Sequence, residues 1–220
     1  MNTPIDWRQS SQVFDQKADE YDSWFENSLL FDIELAALKE IKTPLGSPRL
    51  EIGVGPGRFA REVDVAFGVD PAIAPLYLSQ KRGIGVIQAS GEELPLANSS
   101  VGTAFLLFAL CFLNDPVQAI DECSRVVKKG GHLVLGMIPS SGAWGQSLEK
   151  KKNEGHPFYE YARFYDMTVV GAWLKAAGFQ VVEVRSSLFQ QPGKLKVFEH
   201  SRSGLSSDAG FWVIVAKKSE

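Results

Sequence analysis

The sequence has few of the residues that build metal sites, disulfide frameworks or membrane spans. It holds only two cysteines, Cys111 and Cys123, and both lie in apolar or helical stretches without a metal-ligand neighbour. They are interpreted as buried free thiols, which agrees with a reducing cytoplasm and with no metal site. The longest apolar run, 101–113, is too short to span a bilayer, and the polar residues 1–10 lack the apolar core of a signal peptide. We therefore expect a soluble, cytoplasmic protein with no membrane partner.

Charge of one sign is not in large excess either, since 23 basic residues face 26 acidic ones and the formal net charge is −3. The densest basic cluster is the run Lys150–Lys152, and such short clusters are typical of solvated faces. We therefore expect no nucleic-acid partner. A chain of 220 residues, 45% of them hydrophobic, can bury one sizeable core, so we expect a single domain. The oligomeric state is left open.

Apolar runs alternate with segments of helical periodicity through most of the chain. Two helices with a break near Asn27–Ser28 are predicted over 14–41, and further helices over 71–82, 115–127 and 167–177. Seven strands are predicted, at 50–54, 66–69, 84–88, 101–110, 132–138, 179–185 and 211–216. This alternation predicts a parallel sheet with crossover connections.

The connection before the last strand differs from the others. The stretch 186–210 is polar and rich in glycine and serine, and it shows no helical pattern. It is interpreted as a long hairpin, which makes the final strand antiparallel to its neighbours. The expected fold is α/β, a Rossmann-like doubly wound sheet of seven strands, mostly parallel with an antiparallel last strand.

A strand that runs into a glycine-rich turn is the segment with the clearest chemical meaning. Gly53, Gly55 and Gly57 follow the first predicted strand, and Glu51 stands two residues before the first glycine. Glycines permit positive φ and let a ligand approach bare backbone, while the N–H groups of the next helix can bind a polar or anionic group. A dinucleotide site has the spacing G-x-G-x-x-G, but Arg58 occupies the sixth position here. This difference disfavours a nicotinamide-dependent oxidoreductase, which stays open as an alternative.

Five segments carry motifs in a fixed order. They are 14–22 (F-D-x-x-A-x-x-Y-D), the glycine-rich 50–60, the acid-ended strand 67–71, 91–96 (similar to A-E-x-L-P-F) and 122–133 (similar to E-x-x-R-V-L-K-P-G-G-x-L). The last four resemble class I S-adenosylmethionine-dependent methyltransferases. The first is similar to a helix of the small-molecule, ubiquinone-biosynthesis-like (methyltransferase type 11) subgroup. The resemblance implies S-adenosyl-L-methionine as cofactor and a small-molecule acceptor, methylated by in-line displacement at the sulfonium methyl.

The resemblance also implies which residues would surround the methionine part of the cofactor. The backbone of Gly53, Val54 and Gly55 would contact it. Glu51 would face its amino group, directly or through a water molecule. Tyr21 would close the pocket from the N-terminal helix, and a plain core position is the alternative for this ring.

Ribose and adenine contacts are implied by the next motifs. Asp70, at the end of the second strand, would hold the two ribose hydroxyls, because each carboxylate oxygen can accept one O–H. Pro71 would begin the helix beside it, and Phe108, at the end of the fourth strand, would lie near the sulfonium or simply in the core. The adenine would be lined by Ser90, Gly91 and Glu92.

No catalytic base comes with the resemblance. Many relatives carry a histidine just after the fourth strand, but Cys111 and Phe112 stand there. His156 is the candidate base, because it lies in an aromatic-rich segment that would overhang the acceptor; a surface role is its alternative. Ser90 stands where the family often has an acid, so a non-catalytic paralogue that binds S-adenosylmethionine also stays open.

These expectations divide the single domain, 1–220, into four parts. Residues 1–48 form an N-terminal helical cap and 49–139 the cofactor-binding core. Residues 140–165 form a lid segment, and 166–220 supply a C-terminal helix and a pair of strands.

Overall fold

The computed structural model describes residues 7–219, apart from the side chains of residues 7, 8 and 10, so the expectations for residues 1–6 lie outside it. The strands are β1 (Arg49–Ile52), β2 (Phe67–Asp70), β3 (Gly85–Gln88), β4 (Val101–Leu107), β5 (Val127–Met137), β6 (Phe179–Ser187), β7 (Arg202–Ser203) and β8 (Phe211–Lys218). The helices are α1 (Trp7–Gln16), α2 (Ala18–Ser23), α3 (Leu29–Lys39), α4 (Arg58–Glu62), α5 (Ile73–Lys81), α6 (Pro116–Val126), α7 (Ala143–Asn153) and α8 (Met167–Ala176), with a 3₁₀ turn at Leu110–Phe112. None of these helices is both long and apolar enough to cross a bilayer.

All the strands form one sheet, in the order β3-β2-β1-β4-β5-β8-β6-β7. The pairs among β1 to β5 are parallel, and β8 runs antiparallel to both β5 and β6. The Rossmann-like, mostly parallel sheet with an antiparallel last strand is therefore confirmed. The number of strands was wrong: the sheet has eight, because β7 pairs its two residues with β6 inside the long connection after that strand.

Two local predictions also need correction. The first predicted helix is two helices, α1 and α2, because the backbone leaves the helical region at Lys17 (φ −124°, ψ 29°). Strand β5 begins five residues earlier than expected, because Val127 already pairs with Val101 before the register shifts. In addition, α7 forms inside the segment predicted only as a lid.

The sheet is covered on both faces, which explains why β4 is buried at every position. Successive side chains of a strand point to opposite faces. Accordingly, Leu106 packs in the core beneath α6 and α8, while Phe105 packs in the core beneath α3 and α4. The parallel strands therefore end together at one edge, and the loops after β1, β2 and β4 meet there.

Candidate active site

A cavity of about 720 Å³ opens at this edge of the sheet. It is bounded by the loops that follow β1, β2, β3 and β4 and by the N-terminal helices. Nine of the eleven predicted cofactor-binding residues line it: Tyr21, Gly53, Gly55, Asp70, Pro71, Ser90, Gly91, Glu92 and Phe108. We call this space the donor cavity.

The glycine-rich turn forms the floor of the donor cavity, and its backbone requires glycine. Gly53, Gly55 and Gly57 have φ values of 72°, 51° and 77°, in the left-handed region that side chains disfavour. A Cβ on Gly53 would also collide with the Cβ of Ala109. The turn is held by Ser79, whose hydroxyl donates to the carbonyl of Gly55 at 2.7 Å. The backbone of this turn is therefore bare on the side that faces the cavity.

Asp70 is buried beside that turn, and backbone donors hold it in place. The N–H of Gly55 donates to Oδ2 at 2.9 Å, and the N–H of Ala72 donates to Oδ1 at 2.8 Å. Burial raises the pKa of Asp70 to about 6, even though both N–H donors favour the ionised form. Each oxygen keeps a further lone pair with which to accept a hydroxyl from a ligand.

Two of the predicted residues, Glu51 and Val54, do not line the donor cavity. Val54 packs its side chain against Gly68 of β2, so only its backbone belongs to the turn. Glu51 is 2% exposed on the central strand β1, and within residues 7–219 its Oε2 has no hydrogen-bond partner. Burial, with the nearby charge of Asp70, raises the pKa of Glu51 well above its usual value.

Glu92 lines the cavity but its carboxylate is already engaged. Its Oε1 accepts from the N–H of Asn114 at 2.8 Å and from the N–H of Asp115 at 3.3 Å. Glu92 thereby fixes the connection between the 3₁₀ turn and α6, and that connection closes one side of the cavity. Its side chain positions the wall rather than reaching into the space.

The acidic residues of the N-terminal motif attach the cap to the core. Asp15 accepts from the N–H of Ala74, in the first turn of α5, at 2.8 Å. Asp22 accepts from the guanidinium groups of Arg58 and Arg82. The sequence analysis used this motif only for the resemblance and for Tyr21. The spacing of the two acids is the signal that could have predicted the attachment.

A second cavity, of about 1020 Å³ including space open to solvent, adjoins the donor cavity. Twelve of the 22 residues that line it are aromatic. Four residues line both cavities and form a shared wall: Phe14, Tyr21, Phe108 and Phe112. We call this second space the aromatic cavity.

Phe108 holds its place in the shared wall by a strained backbone and by stacking. Its φ is +57°, which is rare for an aromatic residue and is typical of functional positions when it occurs. Its N–H donates to the carbonyl of Gly136 at 2.8 Å, and its ring stacks on Phe211 with the ring centroids 4.8 Å apart. The chain thus turns sharply after β4 and directs this ring to the junction.

Glu34 is the acidic residue of the aromatic cavity, and the sequence analysis did not name it as a candidate. It lies on α3, is 6% exposed and is the one carboxylate among the described residues that line this cavity. Burial raises the pKa of Glu34 well above its ordinary value. One signal in the sequence could have predicted its burial. Glu34 directly follows Ile33 and precedes Leu38 by four residues, so an acid stands on the apolar face of a predicted helix.

His156, the predicted base, lines neither cavity. Its ring lies behind three rings that line the aromatic cavity. The centroid of the His156 ring is 5.0 Å from that of Tyr159 and 6.1 Å from those of Trp24 and Phe158. Burial and the charge of Lys151 lower its pKa. The residues at the position of the relatives' histidine, Cys111 and Phe112, do line the aromatic cavity.

Comparison with known proteins identifies the family. Residues 50–135 match a family model described as a methyltransferase domain. The chain is 33% identical to a protein of Thermotoga maritima whose crystal structure is that of an S-adenosylmethionine-dependent methyltransferase, described as a possible histamine N-methyltransferase. The two superpose with a TM-score of 0.88, over 95% of this chain and 99% of the other. This chain belongs to the S-adenosylmethionine-dependent methyltransferases.

Two further relatives are similar to this chain, and the second is itself a methyltransferase. The methyltransferase is 36% identical over 207 residues to an uncharacterised protein of Methanocaldococcus jannaschii. The aligned residues cover 94% of this chain and 98% of that protein. It is 31% identical over 139 residues to a ubiquinone/menaquinone biosynthesis C-methyltransferase of Syntrophotalea carbinolica, 56% of this chain and 58% of that one. The predicted family, enzyme class and use of S-adenosylmethionine are confirmed, and the oxidoreductase alternative is set aside.

Proposed function

We propose that the methyltransferase binds S-adenosylmethionine in the donor cavity and methylates a small molecule that occupies the aromatic cavity. The observation that carries this proposal is the shared wall of Phe14, Tyr21, Phe108 and Phe112. Because the two cavities share these residues, a cofactor in the donor cavity would lie next to an acceptor in the aromatic cavity. A concave space lined mainly by apolar and aromatic side chains is typical of sites for low-molecular-weight ligands.

The residues of the donor cavity fit the cofactor. Asp70 would accept the ribose hydroxyls with the lone pairs that its two backbone donors leave free. The bare backbone at Gly53 and Gly55 would admit the methionine part. Glu51 does not line the cavity, so a water molecule, rather than direct contact, would join its unpaired Oε2 to the cofactor's ammonium group.

The acceptor side requires little chemistry from the protein. S-adenosylmethionine supplies a methyl group on a sulfonium, which is an activated leaving group. The chain's own contribution is to position the acceptor in line with that methyl and to exclude water. The rings of Tyr21 and Phe108 at the junction would also stabilise positive charge through their π faces.

A small acceptor agrees with the description of the Thermotoga maritima relative as a possible histamine N-methyltransferase. It also agrees with the sequence, in which basic residues occur only in short clusters and not in the long basic stretches typical of nucleic-acid binding. His156 stays a predicted base. It lies behind Trp24, Phe158 and Tyr159 and does not line the aromatic cavity, so it has no direct path to an acceptor there.

Calorimetric titration with S-adenosylhomocysteine tests the donor site. We expect Asp70→Asn to weaken binding about tenfold or more, because hydrogen bonds to a charged group contribute about 1.5–3 kcal/mol. The exposed Asp121→Asn on α6 is the matched control and should bind like the wild type. Transfer of radiolabelled methyl groups to a panel of small metabolites, with protein and RNA as further arms, tests the acceptor class. Unchanged binding by Asp70→Asn, or methylation of protein or RNA alone, would contradict the proposal.

A further inference from the structure

We infer that the aromatic cavity receives an organic amine, and that Glu34 binds the protonated nitrogen of this acceptor and takes its proton before the methyl group is transferred. The inference rests on the proposed function, because it names the acceptor class of that same site. It assigns a role to a carboxyl group that no contact within the described part of the protein explains.

Glu34 is buried without a partner. Among the described side chains, none donates a hydrogen bond to its carboxyl group, and no lysine or arginine forms an ion pair with it. An unpaired buried carboxylate is costly, so the group either stays protonated or obtains a cation from a ligand. The raised pKa of Glu34 agrees with a neutral group while the cavity is empty. A cationic ligand would supply the missing partner and restore the charge.

The walls around Glu34 suit a cation. Trp24, Phe25 and Phe31 line the cavity as a chain of rings, and Tyr21 contacts the first two with centroid distances of 5.4 and 5.3 Å. Aromatic faces attract organic cations, most strongly where water is excluded. Aromatic side chains with one buried carboxylate are therefore complementary to an ammonium group that carries an apolar body.

Glu34 also lines the same cavity as the shared wall. Its negative charge contributes to the raised pKa of the phenols of Tyr21 and Tyr159, after the larger effect of burial. Tyr21 belongs to the shared wall. A nitrogen bound by Glu34 would consequently be held near the place where the methyl group is presented.

Charge balance favours an amine over a phenol or an acid. An ammonium beside Glu34 makes a neutral pair, whereas a phenol that loses its proton there leaves a net negative charge in an apolar space. Arg163 lines the same cavity, and its guanidinium forms a hydrogen bond with Tyr165. A carboxylate ligand could contact Arg163 only at the cost of repulsion by Glu34, so it serves as a test of the inference.

The chemical step balances in charge and atoms. An ammonium nitrogen has no lone pair, so it first gives one proton to the carboxylate of Glu34. The neutral nitrogen then forms a bond to the methyl carbon while the carbon–sulfur bond breaks and its electron pair passes to sulfur. The products are a methylated ammonium and S-adenosylhomocysteine. Glu34 keeps the proton in the emptied cavity until the next ammonium binds and that proton passes to solvent.

Binding measurements with a matched probe series test this inference independently of turnover. The probes are 2-phenylethylamine, its quaternary trimethylammonium analogue, the neutral 2-phenylethanol and phenylacetate, each titrated against protein saturated with S-adenosylhomocysteine. Calorimetry and the fluorescence of Trp24 and Trp144, which line the cavity, provide two readouts. We expect both cations to bind and phenylacetate to bind least. The quaternary analogue should bind without being methylated, because its nitrogen has no proton to lose and no lone pair to gain.

Two variants of Glu34 and one control complete the test. Glu34→Gln should weaken the amine about tenfold or more and leave 2-phenylethanol unchanged. Glu34→Leu removes the buried acid, so it should lose amine preference while its thermal midpoint stays equal or rises. Glu160→Gln, on an exposed position near the same cavity, should behave like the wild type. Methylation of 2-phenylethylamine by radiolabelled donor should fall with the same variants.

The outcomes separate this inference from the proposed function. If the wild type binds S-adenosylhomocysteine but shows no preference for the amines, or if both Glu34 variants bind them as tightly, the inference is wrong and the donor site stands. If the wild type does not bind S-adenosylhomocysteine, the proposed function itself fails.

Discussion

Arg58 donates two hydrogen bonds to Asp22, from Nε to Oδ1 at 2.8 Å and from Nη2 to Oδ2 at 2.7 Å. Arg58 is the first residue of α4, directly after the glycine-rich turn, and Asp22 lies on α2 of the N-terminal cap. Arg82 joins them, donating to Asp22 Oδ2 at 2.8 Å and to the carbonyl of Pro56 at 2.7 Å. The residue that distinguishes this turn from a dinucleotide motif therefore ties the turn to the helix that carries Tyr21.

Breaking this attachment should affect both stability and donor binding. Asp22→Asn removes a largely buried charge from two guanidinium groups, and we expect a loss of about 1–3 kcal/mol in the free energy of unfolding. Denaturant titration measures this loss, and calorimetry with S-adenosylhomocysteine should show weaker binding because Tyr21 loses its support. Asp19→Asn, exposed on the same helix, is the control. Equal stability of the two variants would show that the cap is held by other contacts.

The ionisation of Asp22 also predicts how the stability of the protein changes at acidic pH. Burial opposes ionisation of Asp22, but hydrogen bonds from Arg58 and Arg82 prevail and hold its pKa below the usual value. A lowered pKa in the folded state contributes stability above the pKa of the unfolded chain, and this contribution is lost as the pH falls through the folded value. We therefore expect the difference in stability between wild type and Asp22→Asn to be full at neutral pH and to shrink as the pH is lowered below about 4. A difference that does not change with pH would contradict this origin.

Asp70 predicts a second pH dependence at a higher pH. Burial raises its pKa to about 6, and the ionised form is the better acceptor of ribose hydroxyls. Binding of S-adenosylhomocysteine should thus weaken as the pH falls through about 6, and the Asp70→Asn variant should lack this component. Titrations from pH 5 to 8 check it. In the empty protein the sign for stability is opposite: the raised pKa favours folding at low pH, and this contribution is lost as the pH rises through about 6.

The glycine-rich turn offers a test that separates steric collision from backbone strain. Gly53→Ala adds a methyl group that meets Ala109 at a φ of 72°, and we expect a loss of about 2–4 kcal/mol together with loss of donor binding. Gly155→Ala has a similar φ of 79° and no atom within 4 Å, so it should cost only about 1 kcal/mol and leave binding intact. Thermal unfolding and titration with S-adenosylhomocysteine distinguish the two. Similar losses in both variants would mean that the collision at Gly53 is relieved by a small shift.

The two thiols should be unreactive in the folded protein. Burial raises the pKa of both Cys111 and Cys123 to about 12, and Cys111 also donates to the carbonyl of Phe108 at 3.2 Å. Iodoacetamide at pH 8 should label neither cysteine in native protein and both in denaturant, as mass spectrometry can show. Rapid labelling of native Cys111 alone would instead show that reagents of this size enter the aromatic cavity and find a thiolate.

Most of the sheet could be predicted because its strands are continuous apolar runs between turn signals. The errors arose where pairing depends on tertiary context. Strand β7 has only two residues, which is too few for any periodicity, and it exists because Arg202 and Ser203 pair with β6. The segment 128–131 looks like a plain turn, yet Val127 before it already pairs with β4.

The donor and aromatic cavities differed in how far the sequence could predict them. The donor cavity is built mainly from contiguous motifs at strand ends, so Gly53, Asp70 and Ser90 could each be named beforehand. The aromatic cavity is assembled from four distant segments, and only packing brings Glu34 of α3 into one cavity with Phe108 and Tyr159. A single acid on an apolar helix face carries no motif, so its meaning depends on what the fold places around it.

The rings that separate the two cavities have a thermodynamic consequence. Phe14 and Tyr21 line both spaces, so if the proposed donor and acceptor occupy them, ordering these rings around one ligand would lower the entropy that the other must give up. Linkage then requires reciprocity: whatever factor the donor adds to acceptor affinity, the acceptor adds to donor affinity. An enzyme of this construction would release its two products interdependently, with each one retaining the other.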